Sequence, residues 1–107
     1  MASQGPLQRL RRKTTTECLW PYLLSLMKEE QIYAYEIRGL LKQRFGFTVG
    51  EVTAYLVLYK LERDGYVKAE WREVKKRQRK YYKTTEKGRK ALKEAAEYYG
   101  KLAGNLS

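Results

Sequence analysis

The stretch YKLERDGYVKAEWREVKKRQRKYYKTT, Tyr59–Thr85, changes period part-way along. As far as Asp64 its apolar residues recur at helical spacing. After Gly65 they alternate, with Val67, Ala69 and Trp71 separated by Lys68, Glu70 and Arg72. Alternation of this kind predicts a strand, and RKYYKT predicts its antiparallel partner. The connecting KKRQ holds no Gly, Asn or Pro, so a two-residue turn with positive φ is not expected. A longer, mobile tip is. On alternation Tyr81 and Tyr82 point to opposite faces, so one of them packs in the core.

Toward the N-terminus the pattern is helical. A third helix over Thr48–Asp64 ends at Gly65, and Thr48 with Glu51 has capping-box spacing. Its Tyr55, Leu58 and Leu61 fall together and predict the core face, while Thr53, Leu56 and Lys60 lie nearly opposite, with Val52 and Arg63 at one flank. A second helix over Ala34–Phe45 buries Ile37, Leu40 and Leu41 and stops at Gly46. A first helix over Thr15–Glu30 carries Leu19, Leu23, Leu26 and Met27 on one face. Pro21 predicts a kink there or a late start, and Thr14 with Glu17 is a second capping-box candidate, with Thr15 and Thr16 as alternative caps. Residues 1–13, with Gly5, Pro6 and four cations, predict a flexible basic arm, either frayed or following a minor groove.

Past the hairpin, Thr85 caps a last helix over Glu86–Ala103. Leu92, Ala95, Ala96, Tyr99, Leu102 and Ala103 recur at near-heptad spacing. A single domain of 107 residues has little core left to cover so long a helix, so the stripe predicts a dimer seam; the alternative is packing against its own domain. The domain reading is therefore an arm over 1–13, a folded unit over 14–85, and a dimerisation helix with tail over 86–107.

Charge is concentrated. Of a net +11, nine units lie between Lys68 and Lys93, where twelve Lys or Arg face three Glu. Solubility needs no such clustering; a polyanionic partner explains it. Other classes are disfavoured. With no histidine and one cysteine, Cys18, a zinc site and a Ser-His or Cys-His pair are not available. Asp64 is the only aspartate, and no carboxylate pair stands in a catalytic context, so no enzyme activity and no cofactor are expected. The lone cysteine is expected as a small buried residue in a reducing cytoplasm. The apolar run Cys18–Met27 is about half a membrane span, and the first residues lack the apolar core of a signal peptide.

The order helix, helix, helix, strand, strand, helix is that of a winged helix-turn-helix: mainly α, with a two-stranded β-wing and a C-terminal dimerisation helix. In that arrangement the third helix enters the major groove of double-stranded DNA. Thr53 and Lys60 then meet phosphates or base edges, and Leu56 meets a thymine methyl. Lys75, Lys76, Arg77, Arg79 and Lys80 on the wing contact mainly the backbone, giving affinity while the helix gives sequence choice. A non-specific architectural nucleic-acid binder using the same basic wing is the rival reading.

Three segments, IYAYEI (Ile32–Ile37), AYLVLYKLERDGYV (Ala54–Val67) and RKYYKTTEKG (Arg79–Gly88), resemble, in order and spacing, the PadR family of winged-helix transcriptional regulators. The basic, aromatic-ended last helix adds to the likeness. The resemblance implies a homodimer joined through its C-terminal helix, often with help from the first, and repression at a roughly palindromic operator. It also implies that some relatives answer to small aromatic effectors near the dimer centre. Trp20, Trp71, Tyr98 and Tyr99 are candidates to line such a pocket, or are core and interface residues. The chain departs from the family's pattern in three places. Ala34 stands at a usual Gly, Glu51 and Val52 stand at a frequent Pro-Gly, and the wing tip lacks glycines. A carboxylate at 51 repels phosphate unless the cap with Thr48 occupies it.

Overall fold

The computed structural model describes residues 5–107. Five helices and one small sheet follow in the order α1 (Pro6–Thr14), α2 (Trp20–Leu26), β1 (Ile32–Tyr33), a 3-10 turn (Ala34–Glu36), α3 (Ile37–Phe45), α4 (Glu51–Arg63), β2 (Val67–Val74), β3 (Arg77–Thr84) and α5 (Glu86–Asn105). The antiparallel sheet has strand order β1-β3-β2. The winged helix-turn-helix reading holds, with one strand more than expected. β1 is two residues long, too short to show a period, and it exists because Ile32 and Tyr33 pair with Tyr82 and Tyr81.

The flexible arm expected over residues 1–13 is corrected for the part described: Pro6–Thr14 is helix. Residues 1–4 lie outside the described residues. Pro6 occupies the first turn, where its missing N–H costs nothing, and Arg11, Arg12 and Lys13 sit at the negative end of the helix dipole. None of its residues is buried, and Leu7 and Leu10 are exposed. Glu17 Oε2 accepts from Arg12 Nε at 2.7 Å and its Oε1 accepts from Lys13 Nζ at 2.8 Å, so Thr14 and Glu17 form no capping box. The Tyr22 hydroxyl donates to the Thr14 carbonyl at 2.7 Å, tying the end of α1 to α2.

Pro21 gives the late start: α2 begins at Trp20, not Thr15. Leu23, Leu24 and Met27 are fully buried and meet Ile37, Leu41, Leu58 and Val67 in one core. α3 stops at Gly46, whose φ of 78° needs a residue without Cβ, and whose N–H closes onto Lys42. The expected box at Thr48 is absent. Gly50 is the N-cap of α4, and no side chain caps it.

Two further expectations are overturned in the hairpin region. Tyr55 is exposed, and Ala54 takes the core place beside Leu58 and Leu61. The wing tip is a tight turn. Val74 pairs with Arg77, leaving only Lys75 and Lys76 between the strands, with φ of 52° and 63°. Two successive positive φ values mark a type I′ turn, whose twist suits the flanking strands. The strand pairing imposes this turn on residues that do not favour it.

Val67 is buried, Ala69 partly so, and Trp71 is exposed because the hairpin runs past the edge of the core. Tyr82 packs in the core while Tyr81 faces outward. The start of α5 is welded to the end of α4. The Thr85 hydroxyl donates to the Gly65 carbonyl at 2.7 Å and accepts from Gly88 N at 3.1 Å. The Thr85 N–H bonds the Tyr66 carbonyl, and Lys87 Nζ donates to the Asp64 carbonyl at 2.7 Å.

Candidate nucleic-acid interface

On α4 the buried residues are Ala54, Leu58 and Leu61, so the opposite face is presented outward. Thr53, Leu56 and Lys60 all lie on the exposed side. Val52, 81% exposed, and Tyr59, 61% exposed, extend it into an apolar ridge with Leu56. Sequence reasoning set Val52 at a flank of this face and passed over Tyr59. A helical wheel set on 3.6 residues per turn places Val52, Leu56, Tyr59 and Arg63 about the outward axis, with Lys60 and Thr53 on one flank. A contiguous apolar ridge on a cationic protein is costly to leave in water and marks a contact surface. Arg38 of α3 donates from Nε to the Val49 carbonyl at 2.9 Å, which fixes the turn leading into α4.

The wing stands beside this ridge. Lys80 Nζ lies 3.2 Å from Glu62 of α4, so β3 is pinned to the helix. Burial opposes the Lys80 charge, but hydrogen bonds to Tyr82 and Glu62 outweigh it and raise its pKa. Its ammonium sits 5.0 Å from the Tyr82 ring centroid and 5.7 Å from that of Trp71. Lys80 is therefore drawn inward and paired, unlike the exposed cations of the tip. Lys75, Lys76 and Arg77 are exposed at the tip.

Arg79 points to the other face of the sheet, its guanidinium 4.9 Å above the Tyr33 ring. Arg72, its register partner on β2, lies 4.4 Å above Tyr81. Tyr33 contacts Tyr81 at 5.6 Å between centroids and stacks on Tyr35 at 6.1 Å. The Tyr33 ring orients Arg79, while Arg72 is held by Tyr81, by its bond to Gln31 and by an ion pair with Glu70 at 3.5 Å, so both guanidiniums are pre-oriented. Arg72, Tyr33 and Tyr35 were also not foreseen; only a third strand would have brought them together.

The α5 stripe is divided. Leu92 packs against the domain's own core, with Ala91 beside it, and Ala95 is half-buried. Ala96, Tyr99, Leu102 and Ala103 are exposed. Cys18, expected to be buried, is half-buried and shares a groove with Trp20, Tyr98 and Tyr99. The Tyr99 hydroxyl donates to Cys18 Sγ at 3.8 Å; burial, then this bond, push its pKa up to about 12. Trp71 is on the wing and takes no part in that groove. Among the described residues there is no cluster of potential metal ligands, and no helix is long and apolar enough to cross a membrane.

The model of the transcriptional regulator PadR-like family matches residues 23–94, more than half of the chain. A PadR-family transcriptional regulator from Eggerthella lenta is similar over 94% of this chain and 84% of its own, with 29% identity and a TM-score of 0.79. A PadR-like transcription factor from Bacteroides fragilis is similar over 92% and 95%, with 29% identity and a TM-score of 0.76. Bacillus subtilis PadR, solved in complex with operator DNA, shares the fold over 77% of this chain and 48% of its own, with a TM-score of 0.67 and 21% identity. No curated protein matches the chain.

Proposed function

The chain belongs to the PadR-like family of transcriptional regulators, and on that premise we propose that it binds one duplex DNA sequence as a homodimer and represses transcription there. The observation that carries the reading is the exposed ridge of α4, Val52, Leu56 and Tyr59, set beside a wing whose tip is cationic. The fold shared with Bacillus subtilis PadR, a protein seen on operator DNA, supports the same use.

In this reading the outward face of α4 lies in the major groove. Thr53 and Lys60 hold the flank to phosphates, and Leu56 packs on a thymine methyl. Lys75, Lys76 and Arg77 neutralise backbone phosphates at the wing, and Arg72 and Arg79 add rigid guanidiniums. The exposed part of the α5 stripe, Ala96, Tyr99, Leu102 and Ala103, pairs with a second copy, and Leu7 and Leu10 of α1 are apolar surface free to join it. Two α4 helices then reach successive major grooves, roughly 34 Å apart. Neutralising about 6–10 phosphates lowers affinity by about 10³–10⁵ between 50 and 200 mM salt. The Trp20, Tyr98 and Tyr99 groove, next to the α5 seam, is the place for a small aromatic effector.

Selection of binding sites from random duplexes tests this. A two-fold consensus, preferred over random DNA by about 10³ or more, is expected. Binding of all duplexes alike makes the chain an architectural binder. Sedimentation of the Leu102→Glu variant tests the seam: a monomer is expected where the wild type is a dimer.

A further inference from the structure

Glu51 is an oddity on a surface that otherwise suits a polyanion. It is the first residue of α4, exposed, and next to Val52 at the start of the outward ridge. The sequence offered it a structural task, the capping box with Thr48, and the structure does not give it that task. Gly50 is the N-cap, and no side chain caps the helix. Nor does an ion pair occupy it. Among the described residues the ion pairs involve Glu17, Glu29, Glu62, Asp64 and Glu70, and Glu51 makes no side-chain hydrogen bond. Arg38 and Lys42 line the same hollow as Glu51, but neither stands within ion-pair distance of it, and Arg38 Nε is committed to the Val49 carbonyl.

An unpaired carboxylate carried into a groove between phosphate strands repels the backbone and loses water. It is tolerated only if a donor on the nucleic acid replaces that water. In the major groove the donors are exocyclic amino groups, and the one a carboxylate accepts from without a companion donor of its own is cytosine N4. An adenine offers N6–H beside the N7 acceptor, which a carboxylate repels and an amide satisfies. The first turn of the groove-entering helix is also the part that reaches base edges.

We infer that Glu51 is a specificity-determining residue, which accepts a hydrogen bond from the N4 amino group of a cytosine in each half-site. The inference rests on the DNA-binding reading above. It makes the carboxylate a selector: it weakens binding to every sequence through repulsion, and returns that loss only where a C·G pair stands in register.

The experiment is site selection from random duplexes with the wild type, Glu51→Ala and Glu51→Gln, followed by affinities for the selected and a scrambled duplex. Three results are expected together. The wild-type consensus holds one cytosine per half-site that the Ala variant no longer selects, with preference over other bases falling by about fivefold or more. The Gln variant moves that position toward adenine. Both variants bind scrambled duplex more tightly than the wild type does. A wild type without any consensus overturns the DNA-binding reading itself. A wild-type consensus that both variants reproduce at every position overturns the role of Glu51 alone. Lower thermal stability in both variants, with unchanged base preferences, reduces Glu51 to a partner of the helix dipole and also overturns it.

Discussion

Replacing Lys75 and Lys76 by Asn and Gly should make the protein more stable and a weaker DNA binder at once. Both lysines hold positive φ, 52° and 63°. The left-handed region costs an L-residue roughly 1–2 kcal/mol. Glycine at 76 escapes that cost but returns about 0.5–1 kcal/mol through the greater freedom of the unfolded chain. Asparagine at 75 tolerates the region better than lysine does. Together the changes should stabilise the hairpin by about 1–2 kcal/mol, raising the melting midpoint by about 4 °C or more for a domain of this size. The same changes remove two cations from each wing. If each of the four in a dimer neutralises one phosphate, the slope of log affinity against log salt becomes shallower by about 0.9 per contact, roughly 3.6 in all. Circular-dichroism melts at fixed protein concentration read the first effect. Fluorescence anisotropy on a labelled duplex between 50 and 200 mM salt reads the second. A midpoint that stays or falls would refute the strain argument, and an unaltered slope would take the wing tip off the backbone.

Gly88→Ala should be among the most damaging small changes: a Cβ there would lie 2.2 Å from the Tyr66 carbonyl oxygen and 2.7 Å from Thr84 Cγ2. A loss of about 3 kcal/mol, at the upper end for overpacking, is expected in urea melts. Thr84→Val keeps the shape but strips the hydroxyl that donates to the Leu24 carbonyl at 2.8 Å in the core. About 1–3 kcal/mol should be lost, because the carbonyl is left unsatisfied. Hydrogen bonds from Lys13 and Arg12 hold the Glu17 carboxyl below its ordinary pKa. A depressed folded-state pKa contributes stability above the unfolded value, about 4.3, that is lost as pH falls through the folded one. Protection of the α1 amides, relative to their intrinsic exchange, should therefore fall below about pH 4 in the wild type, and that fall should be absent in Glu17→Gln.

Long elements with a clear period were legible in the sequence. The hairpin strands, the helix ending at Gly65 and the Thr85 cap are each dictated by local chemistry, and Lys75, Lys76 and Arg77 follow directly as a tip. What was illegible depended on partners distant in the chain. β1 is a strand only because Tyr81 and Tyr82 lie beside it. Lys80 looks like its cationic neighbours until Glu62, eighteen residues earlier, claims it. Tyr55 shares a helical face with Leu58, yet the small Ala54 fills the core and leaves the ring outside. The turn was misread for a related reason: pairing along both strands outweighs the reluctance of two lysines. The first-turn proline of α1 was a helix-start signal, and the surrounding charge hid it.

The joint between α4 and α5 has no slack. Gly88 lies against the Tyr66 backbone, and the Thr85 and Lys87 side chains bind the carbonyls that end α4. α5 has 20 residues and so rises about 30 Å from that joint. A stiff rod fixed at its base behaves as a lever. Tilting it by roughly 6° sweeps its far end through about 3 Å, close to one base-pair step of about 3.4 Å. In the dimer proposed above the pivot is the far end, and the swept part is the proposed reading head. Anything that alters how two such rods cross therefore retunes the gap between heads without bending either of them.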